Sequence, residues 1–258
     1  MRNDAVTGGT NERARWLEQL RWQVEMGADE AIAEAPVNRL APMPQAAPAP
    51  SPAPAAQLDQ AAQCRTLEEI FAALDAMADF RLRRTATHTV HADGHPNARV
   101  MLIGEAPGRD EDLRGKPFVG RSGQLLDRML AAIGLSRQAE DPEKAVLISN
   151  VVFWRPPGNR KPTEAEVNHC APWIARTIEI VDPAIIVCLG ATPARVLTGS
   201  TQGITRLRGN WLDYPLNGRA VPLLPTLHPA YLLRQPLQKR LAWRDFLSLK
   251  LRLAETGK

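Results

Sequence analysis

The chain has 258 residues, of which 44% are hydrophobic, enough to bury a sizeable core in one domain with an extension. No apolar run approaches the length of about 20 residues that spans a bilayer, and the first residues, MRNDAVTGGTNER, lack an apolar signal core. Three cysteines, at positions 64, 170 and 188, are typical of a reducing compartment and argue against a disulfide framework. We therefore predict a soluble, cytoplasmic protein that does not bind membranes.

Positive charge is concentrated at the C-terminal end of the chain. The formal net charge is +4, yet residues 1–60 carry 5 basic and 8 acidic side chains. Residues 204–258 alone carry 10 basic and 3 acidic side chains. This asymmetry is typical of a surface that binds a polyanion such as nucleic acid. A solvated helix face over residues 239–252 would explain the same charges, so the pattern alone leaves both interpretations open.

The N-terminal quarter predicts an extension of the main domain. Four apolar residues recur there at helical spacing: Trp16, Leu17, Leu20 and Val24. Because Gly27 follows as a stop signal, we predict one amphipathic helix within residues 1–35, whose function the pattern leaves open. Seven of the 22 prolines then lie among alanines between positions 36 and 54, which predicts a semi-extended linker over residues 36–60. The main domain is predicted over residues 61–258.

Strands and helices alternate along this domain. Thr66 and Glu69 form a capping box that begins a helix with an apolar stripe. Strand-like runs follow at Arg99–Ile103, Val146–Val152, Ile185–Leu189 and Leu223–Leu227. Helical patterns separate them at Ser122–Ile133, Glu164–Ile180 and Thr192–Leu197. The alternation predicts an α/β fold, a three-layer α/β/α sandwich with a central, mainly parallel four-stranded sheet.

Three polar motifs follow or end three of these strands. The first is GEAPGRDEDLRGKPFVGRSGQLL at 104–126, the second is SNVVFWRPPGNR at 149–160, and the third is LHPAYLLR at 227–234. In an open parallel sheet, ligands bind at the carboxyl ends of the strands. We therefore expect the three motifs to meet in one active site.

Together the motifs resemble those of uracil-DNA glycosylases of the family-4 type. The resemblance covers residues 85–250, with the motifs in the right order. It implies a DNA repair enzyme that flips a uracil out of DNA, hydrolyses its N-glycosidic bond and leaves an abasic site for base excision repair. No lysine nucleophile occupies the motif positions, so we expect a monofunctional glycosylase without a Schiff-base lyase step.

The resemblance assigns the base pocket to four residues. Phe118 matches the ring that stacks on uracil. Asn150 matches an amide whose acceptor and donors complement the N3 donor and O4 acceptor of uracil, a pair that cytosine reverses. Ala106 stands where the related GQDPYH type has an aspartate, and Gly108 stands where that type has a tyrosine over uracil C5. The glycine predicts some tolerance of larger or modified bases.

Catalytic roles follow from the same resemblance. His228 matches the histidine that donates to uracil O2 as negative charge develops there, and its protonation state stays open. Glu111 and Glu105 match the carboxylates of the family. We expect Glu111 to orient water or stabilise the oxocarbenium-like sugar, and Glu105 to support the pocket. Asp110 and Asp112 are expected to be solvated loop charges.

DNA contacts are expected from the second and third motifs. Leu232 or Leu233 is placed to fill the gap that an extruded nucleotide leaves in the base stack, and a buried leucine pair is the alternative. Backbone contacts are expected from four side chains: Arg155, Asn159, Arg160 and Arg234. The predicted partner is uracil-containing DNA, single- or double-stranded, and the predicted enzyme is a monomer associated with the nucleoid.

The cysteines depart from the family pattern. Family-4 enzymes resemble one another in four cysteines that hold a [4Fe-4S] cluster: a pair near the start of the domain, one before the RPP segment and one further on. Here only Cys170 matches, because Trp154 precedes RPP and Asp79–Thr87 contains no cysteine. Three cysteines cannot supply four thiolates. We predict an enzyme without metal or cluster, in which Trp154 and neighbouring apolar side chains replace the structural role of the cluster.

Three other functions remain open. One is a uracil-DNA binding protein without turnover, including a related type that is trapped covalently on its product. That type has a basic, histidine-bearing insertion after its first motif, which residues 115–123 lack. Another is a glycosylase with broader specificity for deaminated or damaged bases, which the sequence does not distinguish. The last is a protein-interaction adaptor, which leaves the motif residues unexplained.

Overall fold

The computed structural model describes residues 54–256, so the predicted N-terminal helix and most of the predicted linker lie outside the described residues. Six strands are present in this range: β1 (Ala92–Gly94), β2 (Val100–Gly104), β3 (Val146–Asn150), β4 (Ile185–Leu189), β5 (Leu212–Leu216) and β6 (Arg219–Thr226). They form one sheet in the order β1-β3-β2-β4-β6-β5.

The four central strands are parallel, as the sequence predicts. Strand β2 pairs with β3 and β4, and β4 pairs with β6, all in parallel register. Every residue of β2, β3 and β4 is buried, which is typical of a parallel sheet that is covered on both faces. The α/β class is therefore confirmed.

The sheet is larger than predicted, because an antiparallel strand lies at each edge. Strand β1 pairs with β3, and β5 pairs with β6. The predicted count of four strands is thus wrong for the described residues. Strand β1 is only three residues long. In β5, half-buried and exposed residues alternate until the buried Leu216. Neither strand therefore contains the apolar run that marks a buried strand.

Helices cover both faces of the sheet. They are α1 (Pro54–Gln63), α2 (Leu67–Asp75), α3 (Arg81–Thr85), α4 (Arg109–Arg114), α5 (Arg121–Ala132), α6 (Glu164–Val181), α7 (Ala191–Thr198), α8 (Ile204–Leu207), α9 (Pro229–Arg234) and α10 (Lys239–Thr256). Short 3₁₀ turns lie at Pro157–Asn159 and Pro236–Gln238. Within residues 54–256, none of the helices combines the length and the apolar character that a membrane crossing requires.

Alternate residues of β2 belong to two separate hydrophobic clusters, which defines the three layers. Met101 and Ile103 pack in a cluster with residues of α2 and α6. Val100 and Leu102 pack in a second cluster with residues of α5 and α10. Because successive side chains of a strand point to opposite faces, the sheet lies between these two helical layers.

Helix α1 occupies residues that the sequence assigns partly to the linker. Ala61 is buried in the core, and Trp173 Nε1 of α6 donates a hydrogen bond to Gln57 Oε1 at 2.8 Å. The predicted boundary at residue 60 is therefore too late in the chain. The proline and alanines of α1 resemble the preceding linker in composition. Proline is nevertheless tolerated in the first turn of a helix, and alanine is the best helix former.

Candidate active site

The carboxyl ends of the central strands open into a cavity of about 650 Å³. Residues of all three motifs line it, as expected from the parallel sheet. The predicted residues among them are Glu105, Ala106, Gly108, Glu111, Phe118, Asn150, Asn159, Arg160, His228 and Arg234. Three predicted residues are not among the lining residues: Arg155, Leu232 and Leu233.

Phe118 forms one wall of the cavity from a tight turn. Its backbone has a positive φ of 52°, its side chain is buried, and its ring centroid lies 5.5 Å from that of His228. Helix α5 approaches this turn closely at Gly123, where an added Cβ would lie 1.8 Å from the Phe118 carbonyl oxygen. The contact leaves no room for a side chain at position 123.

Arg137 braces the same turn, and the sequence analysis missed it. Its guanidinium donates to the carbonyl oxygens of Pro117 at 2.8 Å and Phe118 at 3.0 Å. It also forms salt bridges with Asp93 and Asp127. Arg137 lies beyond α5 and outside the three motifs, so no local pattern in the sequence marks it.

The Glu111 carboxylate stabilises the loop of the first motif through hydrogen bonds to the backbone. Its Oε1 accepts hydrogen bonds from the backbone N–H groups of Val119 and Gly120, both at 3.0 Å, and its Oε2 accepts one from Gly108 at 3.1 Å. Both oxygens are therefore engaged by the loop that carries Phe118. The family resemblance predicts that Glu111 orients a water. In the structure both of its oxygens already accept hydrogen bonds from the backbone, so little of their accepting capacity is left for a water.

Gly108 lies directly beside the Glu111 carboxylate. A Cβ at position 108 would lie 2.7 Å from Glu111 Oε2. Glycine at position 108 therefore leaves room for the Glu111 carboxylate, which accepts a hydrogen bond from the Gly108 backbone N–H. The tolerance of larger or modified bases stays a prediction.

Glu105 follows β2 and has a more open carboxylate. It is half-buried, and its Oε2 accepts a hydrogen bond from Thr192 Oγ1 at 2.5 Å. Its Oε1 accepts no hydrogen bond from any of the described residues. Thr192 lies in the first turn of α7, where the helix dipole favours a negative charge. Thr192 is a second contributor that lies outside the motifs.

Asn150 ends β3 with its side chain enclosed. It is 1% exposed, and its Oδ1 has no hydrogen-bond partner among residues 54–256. Gly104 permits this arrangement, since a Cβ there would lie 2.4 Å from Asn150 Oδ1 and 2.6 Å from the Phe118 ring. A buried acceptor without a hydrogen-bond partner lowers the stability of the folded protein. The Asn150 oxygen is therefore suited to a ligand that brings an N–H donor.

His228 begins α9 as its N-cap, which sets its tautomer. Its Nδ1 accepts a hydrogen bond from Ala230 N at 3.1 Å, so the ring proton lies on Nε2. Burial, and to a smaller extent the positive charge of Arg234, together lower the pKa of His228 to about 4. The imidazole is therefore neutral near pH 7 and offers a donor, which answers the question that the sequence leaves open.

One prediction about the motif carboxylates is wrong. Asp110 is exposed, as expected for a solvated charge, but Asp112 is only 4% exposed. Its Oδ1 accepts from the backbone N–H groups of Thr87 and His88, at 2.7 Å and 3.2 Å. These partners lie more than twenty positions earlier in the chain, so the local sequence does not show them.

The predicted base-stack wedge is also corrected. Leu232 is fully buried and packs with Leu125 and Leu227, because α9 turns it toward the core. Leu233 is half-buried and packs against the same cluster. The alternative of a buried leucine pair therefore holds for Leu232, and it holds in part for Leu233.

The predicted phosphate-binding side chains differ in how free they are. Arg155 Nε donates to Asn159 Oδ1 at 2.7 Å, and the two side chains hold each other. Arg160 forms two hydrogen bonds with Glu166, at 2.8 Å and 2.6 Å, which offset its charge. Arg234 is exposed, lines the cavity and forms no salt bridge within residues 54–256.

The residues present do not fit an iron-sulfur cluster. Cys64, Cys170 and Cys188 are buried free thiols, and burial raises the pKa of Cys170 to about 12, although a cluster binds thiolates. The Trp154 ring centroid lies 5.1 Å from that of Phe80, which belongs to the stretch without cysteines. In the part of the chain that the structure describes, no group of three or more histidine, cysteine or carboxylate side chains is placed to hold a metal.

Comparisons with known proteins agree with this architecture. The model of the uracil DNA glycosylase superfamily matches residues 91–248. The type-4 uracil-DNA glycosylase of Archaeoglobus fulgidus is 38% identical over 185 residues, which are 70% of this chain and 90% of that protein. That of Thermotoga maritima is 44% identical over 154 residues, 59% of this chain and 76% of that protein. That of Sulfurisphaera tokodaii is 36% identical over 190 residues, 72% of this chain and 84% of that protein. The chain therefore belongs to the uracil DNA glycosylase superfamily.

Proposed function

We propose that the protein is a monofunctional uracil-DNA glycosylase, which hydrolyses the N-glycosidic bond of uracil in DNA and leaves an abasic site for base excision repair. The observation that carries this proposal is the convergence of three groups on one cavity. These groups are the Phe118 ring, the unpaired Oδ1 of Asn150 and the neutral His228 imidazole. Membership of the superfamily and the type-4 relatives support the same substrate.

Base recognition follows from the donors and acceptors of the pocket. An extruded uracil stacks on Phe118, its N3–H donates to Asn150 Oδ1, and its O4 accepts from the Asn150 amide. Cytosine has an acceptor at N3 and a donor at C4, so the same amide orientation leaves buried polar groups unpaired. Asn150 thereby selects the base.

His228 supports departure of the base. As the glycosidic bond breaks, the electron pair moves to the uracil ring, and negative charge develops at O2. The Nε2–H of a neutral imidazole stabilises this anion as a fixed donor in an enclosed site. The histidine therefore keeps its proton, and uracil leaves as an anion.

We assign the water-orienting carboxylate to Glu105, in contrast to the prediction from the sequence. Thr192 holds one of its oxygens at 2.5 Å, and the other accepts no hydrogen bond from the described residues. The carboxylate is thus available to a water or to the cationic sugar on the side of the leaving bond. Glu111 instead holds the Phe118 loop through three backbone donors.

The exchange of roles is tested by a matched pair of variants. We expect Glu105→Gln to lower the single-turnover cleavage rate by about a hundredfold or more while the melting temperature changes little, because the charge near the sugar is lost. We expect Glu111→Gln to lower the melting temperature, because an amide NH₂ faces backbone donors. If Glu105→Gln keeps the full rate, the assignment to Glu105 is wrong.

We propose further that the enzyme works without an iron-sulfur cluster. Support comes from the packing around Trp154, whose Nε1 donates to Thr89 Oγ1 and whose ring contacts Phe80 and Phe153. Phe80 in turn stacks on His169, with centroids 4.0 Å apart. These ring contacts join the stretch Asp79–Thr87 to Trp154, the residue that precedes the RPP segment. Stoichiometric iron in the purified protein would contradict this proposal.

The proposed partner is uracil-containing DNA, bound by a monomer in the cytoplasm at the nucleoid. The basic C-terminal region and the exposed Arg234 beside the cavity support DNA binding.

The deciding experiment uses the purified chain and a labelled oligonucleotide with one uracil. The products are divided between alkali treatment and a denaturing gel without alkali. We expect strand breakage that depends on alkali, with multiple turnovers. A shifted band that survives denaturation would show covalent trapping instead, and the absence of both signals would favour a binding protein or an adaptor.

A further inference from the structure

Asp245 is a buried charged residue of α10 that has no part in the proposed reaction. Its side chain is 1% exposed. Arg208 donates to both of its oxygens, from Nε to Oδ2 at 3.0 Å and from Nη2 to Oδ1. A carboxylate in the interior is costly unless its oxygens are hydrogen-bonded, so the segments that supply these donors are held close to Asp245.

The end of β6 supplies a further donor to the same carboxylate. Thr226 is the last residue of β6, and its Oγ1 donates to Asp245 Oδ2 at 2.6 Å in a fully buried contact. Hydrogen bonds to an ionised acceptor are shorter and stronger than those between neutral groups. The backbone oxygen of Thr226 accepts a hydrogen bond from Gly190 N at 2.9 Å. The end of β6 is therefore held from two sides, by α10 and by the residue that follows β4.

His228 lies only two residues beyond this anchored strand end. Leu227, the residue between them, is 2% exposed. On the other side, a Cβ at Gly190 would lie 3.3 Å from His228 Cβ, so this glycine is in close contact with the histidine and with the strand end. The hydrogen bond from Ala230 N orients the imidazole ring, whereas the place of its backbone follows from the end of β6.

Arg208 connects the same carboxylate to another wall of the cavity. It directly follows α8, whose residues Ile204 and Thr205 line the cavity. Its Nη2 also donates to the backbone oxygen of Leu241 in α10, at 2.9 Å. Asp245 is thus the common partner of two segments that reach the cavity, α8 and the end of β6.

We propose that Asp245 is a positioning residue for uracil excision: through Thr226 it fixes the end of β6, and thereby the distance between His228 Nε2 and uracil O2. The inference rests on the proposed function, because it concerns the histidine of that site. Asp245 itself does not line the cavity. A fixed donor stabilises a developing anion only at hydrogen-bond distance, and a displacement of about 1 Å can lower a rate by about a hundredfold.

The first test is a double-mutant cycle with Asp245→Asn and His228→Gln, measured as single-turnover cleavage of one uracil oligonucleotide. We expect Asp245→Asn to lower the rate of the otherwise unsubstituted protein by about tenfold to a hundredfold. In the His228→Gln protein, the same change should lower the rate by less than about twofold, because the histidine that it displaces is already absent. Melting temperatures show that each variant is folded at the assay temperature.

Two outcomes of this cycle overturn the inference. One is an unchanged rate in Asp245→Asn. The other is an equal fold loss with and without His228, which indicates a general structural role. If the unsubstituted protein does not cleave the oligonucleotide, the proposed function fails instead, and the placement of His228 is then decided by a measurement that needs no catalysis.

Thr226 provides a milder pair of variants, because both leave the buried ion pair intact. Thr226→Val removes the hydroxyl donor, and we expect a loss of about tenfold in the single-turnover rate, whereas Thr226→Ser keeps the hydroxyl and should restore most of the rate. Ser248→Ala is the matched control on α10. It removes a hydrogen bond from Trp211 Nε1, at 2.9 Å, and should match the unsubstituted protein. Equal rates for the valine and serine variants would show that the contact with Asp245 does not position His228.

An NMR measurement gives the readout that needs no catalysis. In protein with isotope-labelled histidine, the signals of the His228 ring nitrogens are assigned with His228→Gln and report the surroundings of the ring. We expect these signals to shift in Asp245→Asn and in Thr226→Val, and to stay unchanged in Ser248→Ala. Unchanged His228 signals in Asp245→Asn would exclude Asp245 as the residue that positions the histidine.

Discussion

At the scale of single residues, the site depends on polar atoms that the fold leaves without partners. Asn150 Oδ1 is buried and unpaired, and Glu105 has one oxygen held by Thr192 and one without a partner among the described residues. The carboxylate of Glu111 instead accepts three hydrogen bonds from backbone donors, with both oxygens engaged. In the proposed mechanism, the chemical role of a residue follows its unused hydrogen-bonding capacity more closely than its position in a motif.

Asn150→Asp should lose the preference for uracil. A carboxylate cannot donate to O4, so the pairing that distinguishes uracil is lost, and we expect uracil cleavage to fall by about tenfold to a hundredfold. Single-turnover rates on uracil and cytosine oligonucleotides measure this, with Asn97→Asp as an exposed control. Unchanged uracil cleavage in Asn150→Asp would remove this residue from recognition.

His228 should stay neutral down to unusually low pH. Its pKa in the folded protein is lowered from 6.5 to about 4, so between these values the unfolded chain binds a proton that the folded chain does not. The contribution of His228 to stability is therefore complete above pH 6.5 and is lost as the pH falls toward 4. Labelled-imidazole NMR, assigned with His228→Gln, should show no titration near 6.5. A midpoint at that value would contradict the proposed neutral donor.

At the scale of elements, the Phe118 turn is shaped by the start of α5. The turn and the helix touch at Gly123, and Arg137 and Glu111 hold the turn from other sides. The alternation of strands and helices is visible in the sequence, because apolar periodicity is local. The edge strands and the burial of Asp112 are not visible, since both depend on partners from distant parts of the chain.

Gly123→Ala should disturb the turn and reduce activity. The added Cβ would lie 1.8 Å from the Phe118 carbonyl oxygen, so the helix or the turn must move. We expect a loss of about 1 to 3 kcal/mol in the free energy of unfolding, together with weaker cleavage. Gly203→Ala is the control, because its nearest contact is a Thr205 oxygen at 4.0 Å. Equal melting temperatures for the two variants would show that the contact carries no cost.

At the scale of the whole molecule, the sheet lies between two helical layers, and the carboxyl ends of its central strands open into one cavity. The layer with α2 and α6 also contains the aromatic packing around Trp154 and Trp173. The sequence predicts that Trp154 and neighbouring apolar side chains stand in place of the cluster of family-4 enzymes, and the Trp154 ring contacts Phe80 and Phe153. Large aromatic side chains stabilise a core by burying apolar surface, whereas a cluster stabilises it through bonds between iron and thiolates.

Trp154→Ala should therefore destabilise the whole domain. The side chain is fully buried, and we expect a loss of about 3 to 5 kcal/mol in the free energy of unfolding, measured in urea. Trp243→Ala is the matched control, because Trp243 is 41% exposed and its removal should cost far less. A loss no larger than that of the control would show that the rings do not support the domain.

The amino-acid sequence by itself determined the central elements and the motif residues at the strand ends, because periodicity, capping and strand order are encoded in neighbouring positions. Only the tertiary structure decided which carboxylate keeps an oxygen free and which leucine reaches solvent. Thr192 and Glu105 are 87 positions apart, and Leu232 is buried by residues of α5 and α10. Such contacts depend on how distant segments pack, so a motif indicates the residues of the site, while the fold assigns their roles.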